Sequence, residues 1–167
     1  MPIEIERKFL VIGDGWRKAA DGGRLFRQGY VTRGNEAQGE KASVRIRLVG
    51  KRAWLTLKSA HAGIMRHEYE YEIAADDAAE MLERMCSGPV IEKTRYSVPH
   101  GGHVWEVDVF AGGAAGLVLA EVELEAADVQ VDLPDWVGTE VTDDPRFRNA
   151  AIGLETSGDR MTEDEDA

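Results

Sequence analysis

The chain has 167 residues, 43% of them hydrophobic, enough for one domain with a sizeable core and too few for two typical ones. Its 31 acidic residues against 20 Lys and Arg give a formal charge of -11, which excludes general affinity for nucleic acid or an anionic membrane, because such binding needs a basic surface. The lone cysteine, Cys86, cannot form an internal disulfide, and no apolar run approaches membrane-spanning length, so a soluble cytoplasmic protein is expected.

Strands are predicted at residues 3–11, 24–32, 42–49, 52–59, 66–74, 91–98, 103–110 and 117–125, separated by segments containing Gly, Asn, Asp or Pro. The first opens with Glu4-Ile5-Glu6-Arg7-Lys8. Alternate residues of a strand point to opposite faces, so Glu4, Glu6 and Lys8 share one face while Ile3, Ile5 and Phe9 share the other. The same alternation returns in Val44-Arg45-Ile46-Arg47-Leu48, Leu55-Thr56-Leu57-Lys58, Glu68-Tyr69-Glu70-Tyr71-Glu72-Ile73, Trp105-Glu106-Val107-Asp108-Val109 and Glu121-Val122-Glu123-Leu124-Glu125. In Glu92-Lys93-Thr94-Arg95-Tyr96 the pattern is mixed or shifted, since Lys93 and Arg95 share a face with Ile91 and Glu92 lies opposite. Gly50-Lys51 and His100-Gly101-Gly102 predict tight hairpins, and hence antiparallel neighbours.

A helix is predicted over 76–86, with Asp76 and Asp77 in its first turn, Gly88-Pro89 beyond its end, and Ala78, Met81, Leu82 and Met85 as its packing face. Cys86 fits the end of this apolar pattern as a small buried residue. A second helix is predicted after Asp144-Pro145, running through Phe147, Ala150, Ala151 and Leu154 and carrying Arg146 and Arg148. Residues 156–167 are polar and mostly acidic, which predicts a mobile tail after a single domain at 1–155.

Three arrangements accommodate strand faces this rich in charge. The faces could meet bulk water, as antiparallel sheets commonly do. They could pair in a dry interior, but desolvation at several kcal/mol per ion stands against a typical stability of about 5–15 kcal/mol. Or an eight-stranded antiparallel barrel could close around a wet charged lumen able to hold one small ligand, with its apolar outer face covered by flanking helices. In a lumen, Lys8, Arg45, Arg47, Lys58, Lys93 and Arg95 would suit linked phosphates. Glu4, Glu6, Glu68, Glu70, Asp108, Glu121 and Glu123 are hard oxygen donors suited to Mg²⁺ or Mn²⁺.

Other features carry less. His100 and His103 flank glycines in a turn, and no Cys/His set completes a zinc site. Gly112-Gly113 lacks the pattern of a phosphate loop and joins two strands. The tryptophans Trp16, Trp54, Trp105 and Trp136 form no stacking series, and Trp54 and Trp105 fit the core or the barrel wall.

Glu4-Ile5-Glu6-Arg7-Lys8 resembles the Glu-x-Glu-x-Lys signature of the CYTH proteins, the triphosphate tunnel metalloenzymes. Further segments resemble the same family: Arg27-Gln28-Gly29-Tyr30, Arg45-Ile46-Arg47, Thr56-Leu57-Lys58-Ser59, Glu68-Tyr69-Glu70, Glu92-Lys93-Thr94-Arg95-Tyr96, Asp108-Val109-Phe110, Glu121-Val122-Glu123 and Val141-Thr142-Asp143-Asp144 with Arg146-Phe147-Arg148-Asn149. The resemblance implies a mainly β, eight-stranded antiparallel tunnel that hydrolyses inorganic tripolyphosphate to pyrophosphate and phosphate with Mg²⁺ or Mn²⁺. It is nearest to the short bacterial tripolyphosphatases.

The resemblance places Lys8, Arg45, Arg47, Lys58 and Arg95 at phosphate-binding positions and Glu4, Glu6, Glu121 and Glu123 at the principal metal-binding positions. Glu68, Glu70 and Asp108 would bind a second metal or orient water. Lys93 and Tyr30 resemble positions associated with water activation, and phosphate binding by Lys93 is equally compatible with its charge. Arg146 and Arg148 stand where the family has basic residues; arginine keeps a phosphate clamp but is a poor base. Adenylate cyclase and thiamine triphosphatase are rival activities, and a polyphosphate-binding module is the rival without catalysis. The expected partner is a triphosphate-containing small molecule, and a homodimer is implied by the resemblance alone.

Overall fold

The computed structural model describes residues 3–60 and 63–152. Eight antiparallel strands follow the chain: β1 (Ile3–Val11), β2 (Arg24–Arg33), β3 (Ala42–Val49), β4 (Arg52–Ser59), β5 (Met65–Ile73), β6 (Ser87–His100), β7 (His103–Phe110) and β8 (Val118–Glu123). Their order is β5-β4-β3-β2-β6-β7-β8-β1, and β1 pairs again with β5, so the sheet closes into the expected barrel. The closing seam is short: Ile3, Glu4 and Ile5 of β1 lie opposite His67, Arg66 and Met65.

The hairpins follow from their glycines. Gly101 and Gly102 both have positive φ, at 60° and 82°, which a two-residue type I′ turn requires, and His100 pairs with His103 across it. Gly50, at φ 60°, supplies the one left-handed residue of the β3–β4 turn, closed by Val49 opposite Arg52.

A ninth strand, β9 (Val137–Glu140), was not predicted; its four residues are too few to show a period. It takes the edge of β1 that β5 leaves, pairing at Phe9 and Val11. Arg7 fixes it with two hydrogen bonds to Glu140, and Thr142 Oγ1 accepts from the Lys8 amide at 3.0 Å.

The outer apolar face is covered less by helix than expected. The one α-helix among the described residues, α1 (Ala75–Arg84), lies over β2 to β4, where Ala78 and Leu82 bury against Ile46 and Ala53. It ends before Met85, which is 63% exposed rather than packed, because the chain turns out of the helix there. Cys86 is half-buried, and a Cβ on Gly29 of β2 would lie 3.1 Å from it and from Leu82, so glycine sets how closely α1 approaches. The rest of the outer face is covered by irregular chain. Trp16 in a short 3-10 turn, together with Val129, Val131 and Trp136, packs over Phe9, Trp105, Val107 and Val122.

The second predicted helix is absent among the described residues. Asp144 caps, by accepting from the Arg146 amide at 3.0 Å, but only a 3-10 turn, Pro145–Phe147, follows. Its Phe147 and the nearby Ile152 are buried with Tyr30, Ile91, Phe110 and Leu119, an apolar cluster on inward-facing strand positions that plugs one end of the barrel. The turn gains more from delivering Phe147 into the barrel than from a helical period. Leu154 and the expected tail from Thr156 lie outside the described residues. No helix among the described residues is long and apolar enough to cross a membrane.

Candidate active site in the barrel lumen

Alternation and register together decide which charges meet. The inward positions carry Glu4, Glu6 and Lys8 on β1, Phe26, Gln28 and Tyr30 on β2, Arg45 and Arg47 on β3, and Thr56 and Lys58 on β4. They continue with Glu68 and Glu70 on β5, Lys93 and Arg95 on β6, Glu106 and Asp108 on β7, and Glu121 and Glu123 on β8. The mixed pattern at residues 91–95 is thereby explained. Ile91 belongs to the apolar plug, Lys93 and Arg95 continue the same face into the charged lumen, and Glu92 points outward, 3.4 Å from Arg27.

Two cavities share Glu4, Glu6, Arg45, Lys58 and Asn149 in their walls. The first opens where β1 exchanges β5 for β9, and adds Lys8, Tyr30, Arg66 and Arg148. The second is walled almost entirely by charge and adds Arg47, Glu68, Glu70, Arg95, Glu106, Glu121 and Glu123.

The carboxylates on β1, β8 and β7 are crowded against one another. Glu6 lies directly across from Glu123, and Glu121 directly across from Glu106. Like charges directly opposite in a sheet are destabilising. Burial, then Glu121 and Glu4, push the Glu6 carboxyl up to about 7 against the opposing pull of Lys58 and Lys8. Burial raises Glu106 and Glu123 as well. Glu121 behaves oppositely: burial would raise it, but Lys8, Arg95, Lys93 and Lys58 hold it well below the usual carboxylate range. Its Oε1 is buried, 3.4 Å from Lys8 Nζ, without a hydrogen bond.

These acids fit a hard divalent cation by donor chemistry and by a crowding of like charge that the wall cations only partly offset, since Glu6 stays raised despite Lys58 and Lys8. No three of them among the described residues already converge at ligand distance. Glu4, Glu6, Glu121 and Glu123 would hold the ion, which would supply charge neutralisation at phosphate oxygens.

The cations differ in how they are engaged. Lys58 lies 2.8 Å from Glu4 and 3.3 Å from Glu68, and although burial opposes it, Glu6 and Glu4 push its ammonium above the usual lysine value. Arg45 donates to Thr56 at 3.3 Å, and Thr56 donates on to Glu70 at 2.9 Å. Lys8 donates to the Phe147 carbonyl at 2.9 Å, tying the plug to the charged wall.

Lys93 and Asp108 line neither cavity. Both are buried, joined at 2.7 Å, and Asp108 also accepts from Arg95 Nε at 2.7 Å and Nη2 at 2.8 Å. Asp108, expected among the metal-binding acids, therefore has both oxygens committed to cations and stands behind the wall. Burial would raise its pKa, but Lys93 and Arg95 hold it below the usual range. Burial lowers Lys93 to about 7, with Arg95 and Arg47 adding to the effect and Asp108 opposing it. Burial, rather than neighbouring charge, is thus the larger reason that its neutral form is accessible.

The remaining expected residues come together in the lumen: Glu4, Glu6, Lys8, Tyr30, Arg45, Arg47, Lys58, Glu68, Glu70, Arg95, Glu121 and Glu123. Arg148 reaches the first cavity, whereas Arg146 lies outside both and bonds to its neighbour Asp144 at 2.6 Å. Sequence reasoning missed Glu106, although period two places it on the face of Asp108. It also missed Asn149, which no strand period covers and which accepts from Lys93 at 3.4 Å.

A CYTH domain model matches residues 2–148. The chain is 46% identical over 152 residues to an inorganic triphosphatase of Acetivibrio thermocellus, covering 91% of this chain and 94% of that protein. It is 41% identical over 157 residues to an inorganic triphosphatase of Nitrosomonas europaea, covering 90% and 97%. The crystal structure of the inorganic triphosphatase NE1496 aligns with a TM-score of 0.62 at 38% identity, over 91% of this chain and 95% of that one. Triphosphatases of this family depend on a metal ion. The likeness runs through every strand that contributes a charge to the lumen, and this chain belongs to the CYTH domain family.

Proposed function

We propose that the chain hydrolyses inorganic tripolyphosphate to pyrophosphate and phosphate inside the lumen, with Mg²⁺ or Mn²⁺ held by Glu4, Glu6, Glu121 and Glu123. The observation that carries this reading is the second cavity, where Arg45, Arg47, Lys58 and Arg95 share one wall system with crowded carboxylates. The relatives named inorganic triphosphatase support it. Phosphoryl transfer asks mainly for positioning and charge stabilisation, which fixed cations on several strands supply. Water attacks a terminal phosphorus, the bond to the bridging oxygen breaks, and pyrophosphate leaves while the water proton passes to a base. Glu68 and Glu70 serve as outer acids that orient water or hold a second ion.

Lys93 suits the base through its lowered pKa, and Asn149, between it and both cavities, would have to give way for it to meet the water. Lys93→Ala is expected to lower kcat by about a hundredfold at little changed KM. A rise in KM with kcat retained would make Lys93 a phosphate ligand instead.

Ile64, Val141 and Phe147 give the first cavity an apolar side, which favours an organic triphosphate as a second reading. A panel of tripolyphosphate, ATP, thiamine triphosphate, pyrophosphate and long polyphosphate, each with Mg²⁺, Mn²⁺ or chelator, decides between them. Tripolyphosphate should be hydrolysed fastest and only with metal. Faster cyclisation of ATP, faster hydrolysis of thiamine triphosphate, or no turnover at all with metal would sink the proposal, the last result in favour of a polyphosphate-binding module.

A further inference from the structure

Among the four cations that wall the second cavity, Arg45, Arg47, Lys58 and Arg95, Arg47 is held differently from the rest. The guanidinium edges of Arg95 go to carboxylates: Nε and Nη2 to Asp108 and Nη1 to Glu106. Lys58, Lys8 and Arg45 each have a carboxylate within 4 Å. Arg47 forms no ion pair among the described residues. Its one hydrogen bond there runs from Nε to Gln28 Oε1 at 2.9 Å, and its guanidinium carbon lies 4.7 Å from the centre of the Phe26 ring.

Phe26 is not ordinary core. It is 5% exposed, yet it joins none of the three apolar clusters among the described residues. Its ring instead has Arg47, Arg95 at 5.0 Å, Lys93 at 5.9 Å and Arg24 at 6.0 Å around it. An aromatic face attracts a cation through its quadrupole, most strongly where water is excluded. It engages the flat side of a guanidinium and leaves the N–H edges unused, whereas a carboxylate consumes those edges. Gln28, fully buried, accepts from Nε without cancelling the charge.

We infer that Phe26 and Gln28 are positioning residues that hold Arg47 in the lumen wall with its Nη edges free to fork onto substrate phosphate. The inference rests on the triphosphate reading of the lumen. Arg47 also faces like charge from Arg45 and Arg95, opposed only by the weaker pull of Tyr30 and Asp108, so an arriving anion relieves repulsion.

The test compares Phe26→Leu, which stays apolar but loses the quadrupole, with Phe26→Tyr, which keeps the ring, and with Gln28→Glu, which puts a carboxylate on Arg47. KM and kcat for tripolyphosphate are measured with Mg²⁺, and tripolyphosphate binding is measured by calorimetry in EDTA at low ionic strength. The Leu and Glu variants should each raise KM, and weaken any metal-free binding, by about tenfold with kcat within about twofold, and the Tyr variant should stay within about twofold of wild type. Unchanged KM and binding in the Leu variant, or equal loss in the Leu and Tyr variants, overturns the positioning role and leaves the triphosphate reading standing. A wild-type protein that neither hydrolyses nor binds tripolyphosphate overturns both.

Discussion

Glu6→Gln is expected to lower metal-dependent turnover of tripolyphosphate by at least about a thousandfold, the scale of losing several kcal/mol of transition-state charge stabilisation. Glu6 faces Glu123 across the β1–β8 pair and lies in the walls of both cavities, so the change removes a donor from the middle of the acid cluster. Retained turnover would remove Glu6 from the site.

The same variant carries a second consequence for the metal-free protein. The Glu6 carboxyl is raised from 4.5 to about 7, so the folded state holds this proton more tightly than the unfolded chain. The stabilising contribution of that proton is fully present below about pH 4.5 and is lost as pH rises through about 7. In EDTA, Glu6→Gln should therefore match wild type near pH 4 and be the more stable protein at pH 8, by on the order of 2 kcal/mol after allowing for solvent in the lumen. Added Mg²⁺ should raise the wild-type Tm and reverse that order. A melting series across pH, with and without metal, reads both effects, and a variant no more stable than wild type at pH 8 would contradict the crowding of these acids.

Asp108→Ala should be the most destabilising of the lumen substitutions, costing about 3–5 kcal/mol, the scale of stranding one partner of a buried ion pair. Lys93 is fully buried and would keep only Asn149 at 3.4 Å. It must then either hold a bare ammonium in the interior or give up its proton against an ordinary value of 10.5. Wild-type Lys93 already gives up its proton near 7, and losing Asp108 lowers that value further, so the deficit should be largest below pH 7 and shrink as pH rises through about 7. Denaturant unfolding at pH 5.5, 7 and 9.5 measures both quantities. Lys93→Met combined with Asp108→Leu should recover part of the loss, since an apolar pair of similar volume can replace buried ions. A loss below about 1 kcal/mol at pH 7 would show that Asp108 does not support Lys93.

How much of this site was legible varies residue by residue. Glu4, Glu6, Lys8, Arg45, Arg47 and Lys58 were found because strand parity is a property of neighbouring residues. Glu106 was equally legible by the same parity, one position along from Val107, and was passed over. Asp108 was placed on the correct face but given the wrong surroundings, since nothing local shows that β6 sets both Lys93 and Arg95 against it. The second helix failed for a related reason: Asp144-Pro145 is a sound helix start, but burial of Phe147 in the barrel mouth outweighed continuation of the turn. Phe26 looks like any core aromatic until four cations are seen around it.

The sequence by itself determined which side chains share a face, where the hairpins turn, and that a face so charged needs water or a ligand, because these follow from the two-residue period and from the cost of desolvation. Only the tertiary structure decided which charges oppose one another and which stand behind the wall. Glu6 meets Glu123 and Lys8 meets Glu121 across more than a hundred residues of chain, through a register that barrel closure imposes and no local pattern contains.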